Sequence, residues 1–542
     1  MDKQTIIALI LMLLVYFGFD TFIWKPKRDQ ANAAAQIESV EESTDAQDAP
    51  PQKPSSIPFS ESGITTQLTD ETAQEYTLEN DNLRVVFSSR GAVISSIELK
   101  HYDVTEGTPV DLVPEKSVIL NSRLYRQGGS SDLDDIIFSV TENQDKNALF
   151  FYLGEEEEPQ LLISYELDDS YGIAVEYDVQ NMGNVNGFRV SLDAGIADSE
   201  PKPTAKAQDY RFMLNADNKV LKLPLSKMKK SQPQGSFGSF GWAALRSKYF
   251  TLAIRENEAA LFRSFSACLN PDTSNPGFSL DSFSKDAKAS WNQSYTLYAG
   301  PADAKILQEY GKQMENIVER GANWLRWLSN FFAWFLNWLH RYIPNYGVVI
   351  IIFALLLKLM LSPLTEKSMK ATFKMQEIQP ELNALQTKYK DNPQMLQQEM
   401  GKLYKEAGAN PLSGCLPLLL QMPVFFSLYS VLRYSIDMRN AGFVFWLKDL
   451  SEPDPYLILP ILMGIFMIIQ SLMTQPKQGD PDKMDEKQKA AQSSQKMMTY
   501  MMPVMMFFVF KNMPAGLVLY WTIFNVFTIA HQYYLRKKFS KD

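Results

Sequence analysis

The chain is poor in the side chains that hold metals or build disulfide frameworks. Two cysteines, Cys268 and Cys415, and three histidines are spread over 542 residues, too few for a zinc cluster or a stapled scaffold. Cys268 lies in a polar region and Cys415 in an apolar run, so no bridge between them is expected, and cysteine usage leaves the redox compartment open. A basic excess is also missing. Lysine and arginine number 53 against 62 acidic residues, a net charge of -9, which argues against general nucleic-acid binding. The glycine-rich stretch GSFGSFGW at 235–242 lacks the Gly-Lys-Ser/Thr that completes a P-loop and reads as a loop. No compelling carboxylate pair or Ser/His/Asp constellation stands out. The expectation is a protein that is not an enzyme and carries no cofactor or metal.

What is present is distributed unevenly. The first half is polar and acidic, as in GEEEEPQ at 154–160, whereas from Trp324 onward Phe, Leu, Met, Trp and Ile dominate. Residues 1–24 hold an apolar stretch, 6–19, extended by Phe22, Ile23 and Trp24. A cleaved signal peptide ending near Ala31-Asn32-Ala33 is one reading. Trp24, Lys25, Lys27 and Arg28 intervene before that site, which fits an uncleaved transmembrane anchor better. Residues 25–75, rich in Ala, Glu, Gln, Ser and Pro, read as a flexible linker. Over 76–321, short β-branched and aromatic runs at 82–99, 160–167, 171–179 and 248–254 are punctuated by Gly, Asn, Asp and Pro. They predict a large all-β sandwich, closed by helical spacing over 301–321.

Residues 322–344 follow with four of the nine tryptophans. Trp324, Trp327, Leu328, Phe331, Phe335, Trp338 and Tyr342 recur every three or four residues, interrupted by Arg326, Asn330, Asn337, His340 and Arg341. That composition suits an amphipathic helix at a membrane surface, with an ordinary core helix as the alternative. Apolar stretches then cover 346–361, ended by Ser362-Pro363, and 412–436, 456–473, 497–510 and 517–535. About 20 helical residues span a bilayer, so 497–510 is short. With the anchor, six spans are predicted. Seven lysines lie between 365 and 410, five more between 475 and 496, and the chain ends LRKKFSKD, while the alternate connections hold only Arg439, Lys448 and Lys511. The positive-inside rule makes the lysine-rich loops and both termini cytoplasmic and the β-domain external. Within the first of those loops, residues 365–410, two helices at 366–390 and 393–408 form a hairpin. In it Phe373, Ile378, Leu382, Leu385 and Tyr389 face Met395, Met400 and Leu403.

Two features carry chemistry. Lys358 is a charge in an otherwise apolar span, a costly placement that marks a functional candidate. It lies five residues before Pro363, roughly 7.5 Å along a helix, so snorkelling to the headgroups and lining of a polar groove are both open on spacing. Met497/Met498, Met501/Met502 and Met505/Met506 repeat every four residues, a pattern of packed or lipid-facing stripes and also of adaptable binding surfaces.

The motifs GANPLSGCLPLLLQMPVFFSLY (408–429), PYLILPILMG (455–464) and QKMMTYMMPVMMFFVFKNMPAGLVLYWTIFNVFTIAHQ (495–532) resemble the YidC/Oxa family of membrane insertases. The order of anchor, β-domain, amphipathic helix and five-span core is that of its long, Gram-negative form. The resemblance implies a five-helix insertase core at 345–542 that inserts and helps fold membrane proteins through a hydrophilic intramembrane groove. It places the protein in the bacterial inner membrane with its β-domain in the periplasm. Lys358 falls where the family usually has arginine, keeping the charge and losing the planar donor fork. Gln421, Met422, Pro423, Tyr520, Trp521 and Asn525 would complete the groove, and Met498, Met501, Met502 and Met505 a slide for the departing client. Implied partners are nascent membrane proteins and the lipid bilayer, with the Sec translocon, the ribosome and the signal-recognition-particle receptor as further candidates. Rival readings are a transporter using Lys358 to bind anions, for which no inverted repeat is seen, and a membrane-anchored carbohydrate-active protein.

Overall fold

The computed structural model describes residues 73–539, apart from 106, 127–128, 157, 201–208, 217–218, 226–233, 258–260, 270–274, 390–391, 409–415 and 475–498. The anchor and nearly all of the linker lie outside these residues, as do Cys415 and Met498. The chain divides into two compact units between Val318 and Glu319.

The first unit is built from seventeen antiparallel strands among the described residues. β1 (Glu75–Glu79), β2 (Leu83–Ser88), β3 (Val93–Thr105) and β4 (Thr108–Asp111) form a four-stranded meander. The larger sheet is organised by two long strands, β10 (Gly172–Leu192) and β17 (Pro276–Pro301), registered from Gly172 opposite Tyr298 to Leu192 opposite Phe278. Alternation does the work in each strand: β2 buries Leu83, Val85 and Phe87 and turns Arg84 outward, the period-two pattern of a half-buried strand. Phe87 packs on Phe151 and Tyr165, and the Tyr165 hydroxyl donates to the Ala92 carbonyl at 2.6 Å. Asp281 is buried where it accepts from Arg189 Nε at 2.6 Å and from the Tyr125 hydroxyl at 2.7 Å. Burial and this carboxylate together push the Tyr125 phenol above its usual range.

Two expectations need correction here. Residues 235–242 are not a loop: β13 (Gln234–Phe237) and β14 (Phe240–Arg246) occupy them, turning at Gly238. Phe240 and Trp242 are buried, so the aromatics rather than the glycines decide the local structure. The helical spacing of 301–321 yields only a short helix, α1 (Ala304–Glu309), and one 3-10 turn, Met314–Ile317. Gly311, Lys312 and Gln313 all have positive φ, which no right-handed helix accommodates. The break is used: the exposed Lys312 carbonyl accepts from Trp242 Nε1 and Asn215 Nδ2.

The second unit is helical. Its elements are α2 (Arg326–His340), α3 (Tyr346–Glu377), α4 (Gln379–Lys388), α5 (Pro393–Glu406), α6 (Leu416–Tyr434), α7 (Ile458–Thr474), α8 (Thr499–Phe510) and α9 (Ala515–Phe539). Phe332 and Leu336 of α2, Phe353 and Leu357 of α3, Leu428 and Leu432 of α6, Met463 of α7 and Tyr520 of α9 share one core. Among the described residues, α3 alone is long and apolar enough to cross a bilayer, and α7 and α8 are shorter apolar helices. The buried face of α2 is Leu325, Ser329, Phe332, Leu336 and Leu339, while Trp324, Trp327, Phe331, Trp334, Trp338 and Tyr342 are exposed. The face turned outward is aromatic; Trp334 belongs to it, whereas Phe335 is half-buried.

Ser362-Pro363 does not end the helix. Helix α3 runs through Pro363 for 32 residues, about 48 Å at 1.5 Å per residue, longer than a hydrocarbon core. Proline removes one backbone donor, and a long helix packed along its length tolerates that loss. The break comes at Ile378, and Pro380 opens α4. The hairpin is therefore shorter than expected. Ile378 and Leu382 are buried against Met375, Met400, Leu403, Tyr404 and Ala407, whereas Met395 is exposed.

Candidate functional site

The two ends of the helical unit differ. At one end the connection between α6 and α7, residues 435–457, is folded down onto the starts of other helices. Asn345 caps α3 by accepting from the Val348 N–H at 3.1 Å and donates to the Phe443 carbonyl at 3.2 Å. The Phe443 ring lies against Gly347, where any Cβ would clash, so glycine is required there. The Ala515 and Gly516 N–H groups opening α9 donate to the Glu452 and Leu450 carbonyls at 2.7 and 2.8 Å. Asn337 of α2 donates to Asp437 at 2.8 Å. Asp454, buried, accepts from Trp446 Nε1 and caps α7 through the Leu459 N–H. The bonds to the Val348, Leu459, Ala515 and Gly516 N–H groups satisfy helix N-termini, and together with the Asn345–Phe443 and Asn337–Asp437 bonds they tie α2, α3, α7 and α9 to one cover. At the opposite end α3 and α9 are joined by an exposed pair, Lys538 with Glu366 at 3.0 Å.

Between the ends, α9 carries a polar stripe. Asn525, Thr528 and Gln532 follow an i, i+3, i+7 spacing, one helical face, and all three are buried. Lys358 of α3 meets this stripe. Its side chain is only 5% exposed, and Nζ donates to Thr528 Oγ1 at 2.9 Å and sits 4.9 Å from the Phe524 ring centre. The Thr528 hydroxyl donates in turn to the Phe524 carbonyl at 2.7 Å. Twelve residues separate Lys358 from Tyr346, about 18 Å along α3, so the ammonium lies well inside that helix. A hydroxyl and a ring are its partners among the described residues; no carboxylate neutralises it. An ammonium has three donors, so this arrangement leaves capacity for an acceptor.

A second polar pair stands eight residues nearer the covered end, about 12 Å along α9. Gln421 Nε2 donates to the Tyr520 hydroxyl at 2.6 Å, both side chains buried. Trp521 packs edge-on against Phe425 at 5.3 Å and beside Phe510 at 5.4 Å. Two orphan polar atoms lie along the stripe, Asn525 Nδ2 and Gln532 Oε1, each buried with no hydrogen-bond partner among the described residues. Burying such atoms costs about 1–3 kcal/mol each when unsatisfied.

The structure thus brings Lys358 and Asn525 to one stripe of α9 and pairs Gln421 with Tyr520. Met422 points outward and Pro423 is half-buried inside α6. Met501, Met502 and Met505 are exposed on α8 beside Val504 and Phe508. Thr528, Phe524 and Gln532 were not singled out from sequence. Their only signal is position: they fall within seven residues of Asn525 on the same helix.

Comparison with known proteins supplies a relationship. The family model described as 60Kd inner membrane protein matches residues 338–542, and that of the YidC periplasmic domain matches 75–335. The chain is 32% identical to the membrane protein insertase YidC of Chlorobium phaeovibrioides over 588 residues, covering 99% of this chain and 95% of the relative. It is 33% identical to the membrane protein insertase YidC of Prosthecochloris aestuarii, covering 100% and 96%. A solved structure of an active YidC insertase with its first transmembrane domain resolved aligns at 18% identity and TM-score 0.37, covering 86% of this chain and 93% of that one. With a β-rich periplasmic domain, a helical C-terminal region and relatives matched along their whole length, the chain is a member of the YidC/Oxa family of inner-membrane protein insertases.

Proposed function

We propose that this insertase receives client helices along the polar stripe of α9, with Lys358 as the charge that draws the client's translocated segment into the membrane. The observation carrying this reading is a buried ammonium with a hydroxyl and a ring for partners and, among the described residues, no counter-ion. A cation held this way attracts an acidic side chain strongly. At an effective dielectric near 20, opposite charges 4 Å apart interact by about 4 kcal/mol, against about 1 in water. Gln421, Tyr520 and Asn525 offer hydrogen bonds to a client backbone that has left water, and Met422, Pro423 and Trp521 form the neighbouring wall. The exposed methionines of α8, Met501, Met502 and Met505, would give the client helix a compliant apolar path into lipid; Met498 belongs to the same proposal from sequence alone. Burial of the client's apolar helix completes the transfer, so no nucleotide is needed.

The topology we propose has six spans, counting the N-terminal anchor, with residues 345–542 as a five-helix core and both termini in the cytoplasm. The cover over the α3 and α9 starts then faces the periplasm, and the Lys538–Glu366 end, with its lysine-rich loops, faces the cytoplasm. In this arrangement a client enters from the side the cover does not close.

The test is insertion of matched clients with acidic, neutral and basic tails by Lys358 variants. Lys358→Arg keeps activity. Lys358→Glu fails most for acidic tails, and Lys358→Ala lies between them and spares neutral tails. Equal effects on all three tails would make Lys358 a structural anchor and remove the electrostatic step.

A further inference from the structure

The cover at the α3 end exposes an aromatic side chain almost completely. Phe445 is 92% exposed, although its backbone is held in the left-handed region at φ 49°. Only glycine adopts that conformation without strain, so an exposed phenylalanine there is set against both the backbone and water. Nor is the tip loose. Phe443 N–H donates to the Leu447 carbonyl at 2.9 Å and Leu447 N–H to the Val444 carbonyl at 3.0 Å. The Phe445 ring stacks on Trp446, with centroids 6.3 Å apart and planes at 16°. Trp446 is pinned through its indole N–H to buried Asp454, the residue that caps α7.

What surrounds the tip identifies its partner. Val444 beside it is exposed, as are Tyr456 at the approach to α7 and Tyr342 just past the end of α2. Tyr342 continues the outward aromatic face of α2, and Val348, in the first turn of α3, is also exposed. Tyr342, Val348 and Tyr456 belong to the end of the helical unit that the cover closes. An exposed cation, Lys448, stands three residues from Phe445. Exposed aromatics with a flanking lysine are the composition that partitions to the boundary between headgroups and acyl chains.

We infer that the Val444-Phe445 tip inserts into the outer leaflet, so that the bilayer itself holds the cover in place over the starts of α3 and α9. The cover is thereby a lipid-anchored element. Its choice of leaflet rests on the topology proposed above, and the insertion of the tip into lipid does not rest on the role proposed for Lys358.

The test uses the full chain with Cys268→Ser and Cys415→Ser, reconstituted in phosphatidylcholine–phosphatidylglycerol vesicles without client. A nitroxide is attached at Phe445→Cys or, separately, at Lys448→Cys. Power-saturation electron paramagnetic resonance then compares collision with oxygen, which concentrates in lipid, and with a neutral nickel chelate, which stays in water. At position 445 oxygen accessibility should exceed nickel accessibility several-fold, and at 448 the order should reverse. Nickel access equal to or above oxygen access at 445 would overturn the inference. So would protection from both reagents, which would mean a protein partner; spin–spin broadening would then identify a second copy. Phe445→Gly, which suits the local backbone, should leave the detergent-solubilised melting temperature unchanged. A large drop in melting temperature would instead make the ring an intramolecular packing group and contradict the proposal.

Discussion

Lys358 and the Gln421–Tyr520 pair show how polar groups are kept inside an apolar helical unit. Each is hidden between helices, and each uses a side-chain partner on α9. A buried hydrogen bond contributes about 1 kcal/mol when intact, and leaving one member unpaired costs about 1–3 kcal/mol. Tyr520→Phe should therefore destabilise the helical unit by about 1–3 kcal/mol by stranding Gln421. The double variant Gln421→Leu with Tyr520→Phe should recover part of that loss. Thermal unfolding in detergent measures both, and strictly additive losses would show that the pair is not coupled. Lys358 was legible in the sequence because one charge interrupts an apolar run. Gln421 and Tyr520 were also named, but not as partners, since 99 residues separate them. Thr528 was silent for a different reason. A threonine in a helix satisfies its hydroxyl on the preceding turn, here Phe524, so nothing in the sequence shows that its oxygen also accepts from a lysine.

At the scale of elements, local rules succeeded where the pattern was long and failed where a single residue type was over-weighted. The exposed aromatic face of α2 follows from its spacing. Pro363 was read as a stop and is an interior residue of α3; residues 235–242 were read as a loop and belong to two strands, the second burying Phe240 and Trp242. In both cases packing along the element overrode one residue's preference. The hairpin gives a testable case. Leu382 is buried against Met400 and Leu403 across the α4–α5 contact, and Leu385 shares its helix. Proline at both positions removes two backbone donors and disrupts α4, at about 3 kcal/mol or more each. Insertion activity should fall while the variant itself still integrates into the membrane. Unchanged activity, with circular dichroism showing the helix lost, would mean that the hairpin's order is irrelevant to insertion.

The whole molecule is two units with different physics: a β unit with buried tyrosines and an Arg189–Asp281 pair, and a helical unit with many exposed apolar side chains. The change of texture near residue 321 is visible in the sequence, and the units divide at 318/319. The folded cover was not visible, because its bonds run from backbone groups of residues 441–452 to helix starts far away in the chain. Every group in the proposed pathway belongs to the helical unit. The most direct test of the account is therefore insertion by the chain from which residues 75–318 have been removed, reconstituted in liposomes beside the full chain at equal density. Removal must extend to 318, since the Lys312 carbonyl is bound into the β unit. Without nucleotide, the shortened chain should insert a single-span client with an acidic tail to nearly the full chain's extent, and Lys358→Glu should abolish that insertion. A shortened chain that is folded and present at equal density yet inserts nothing would contradict the account.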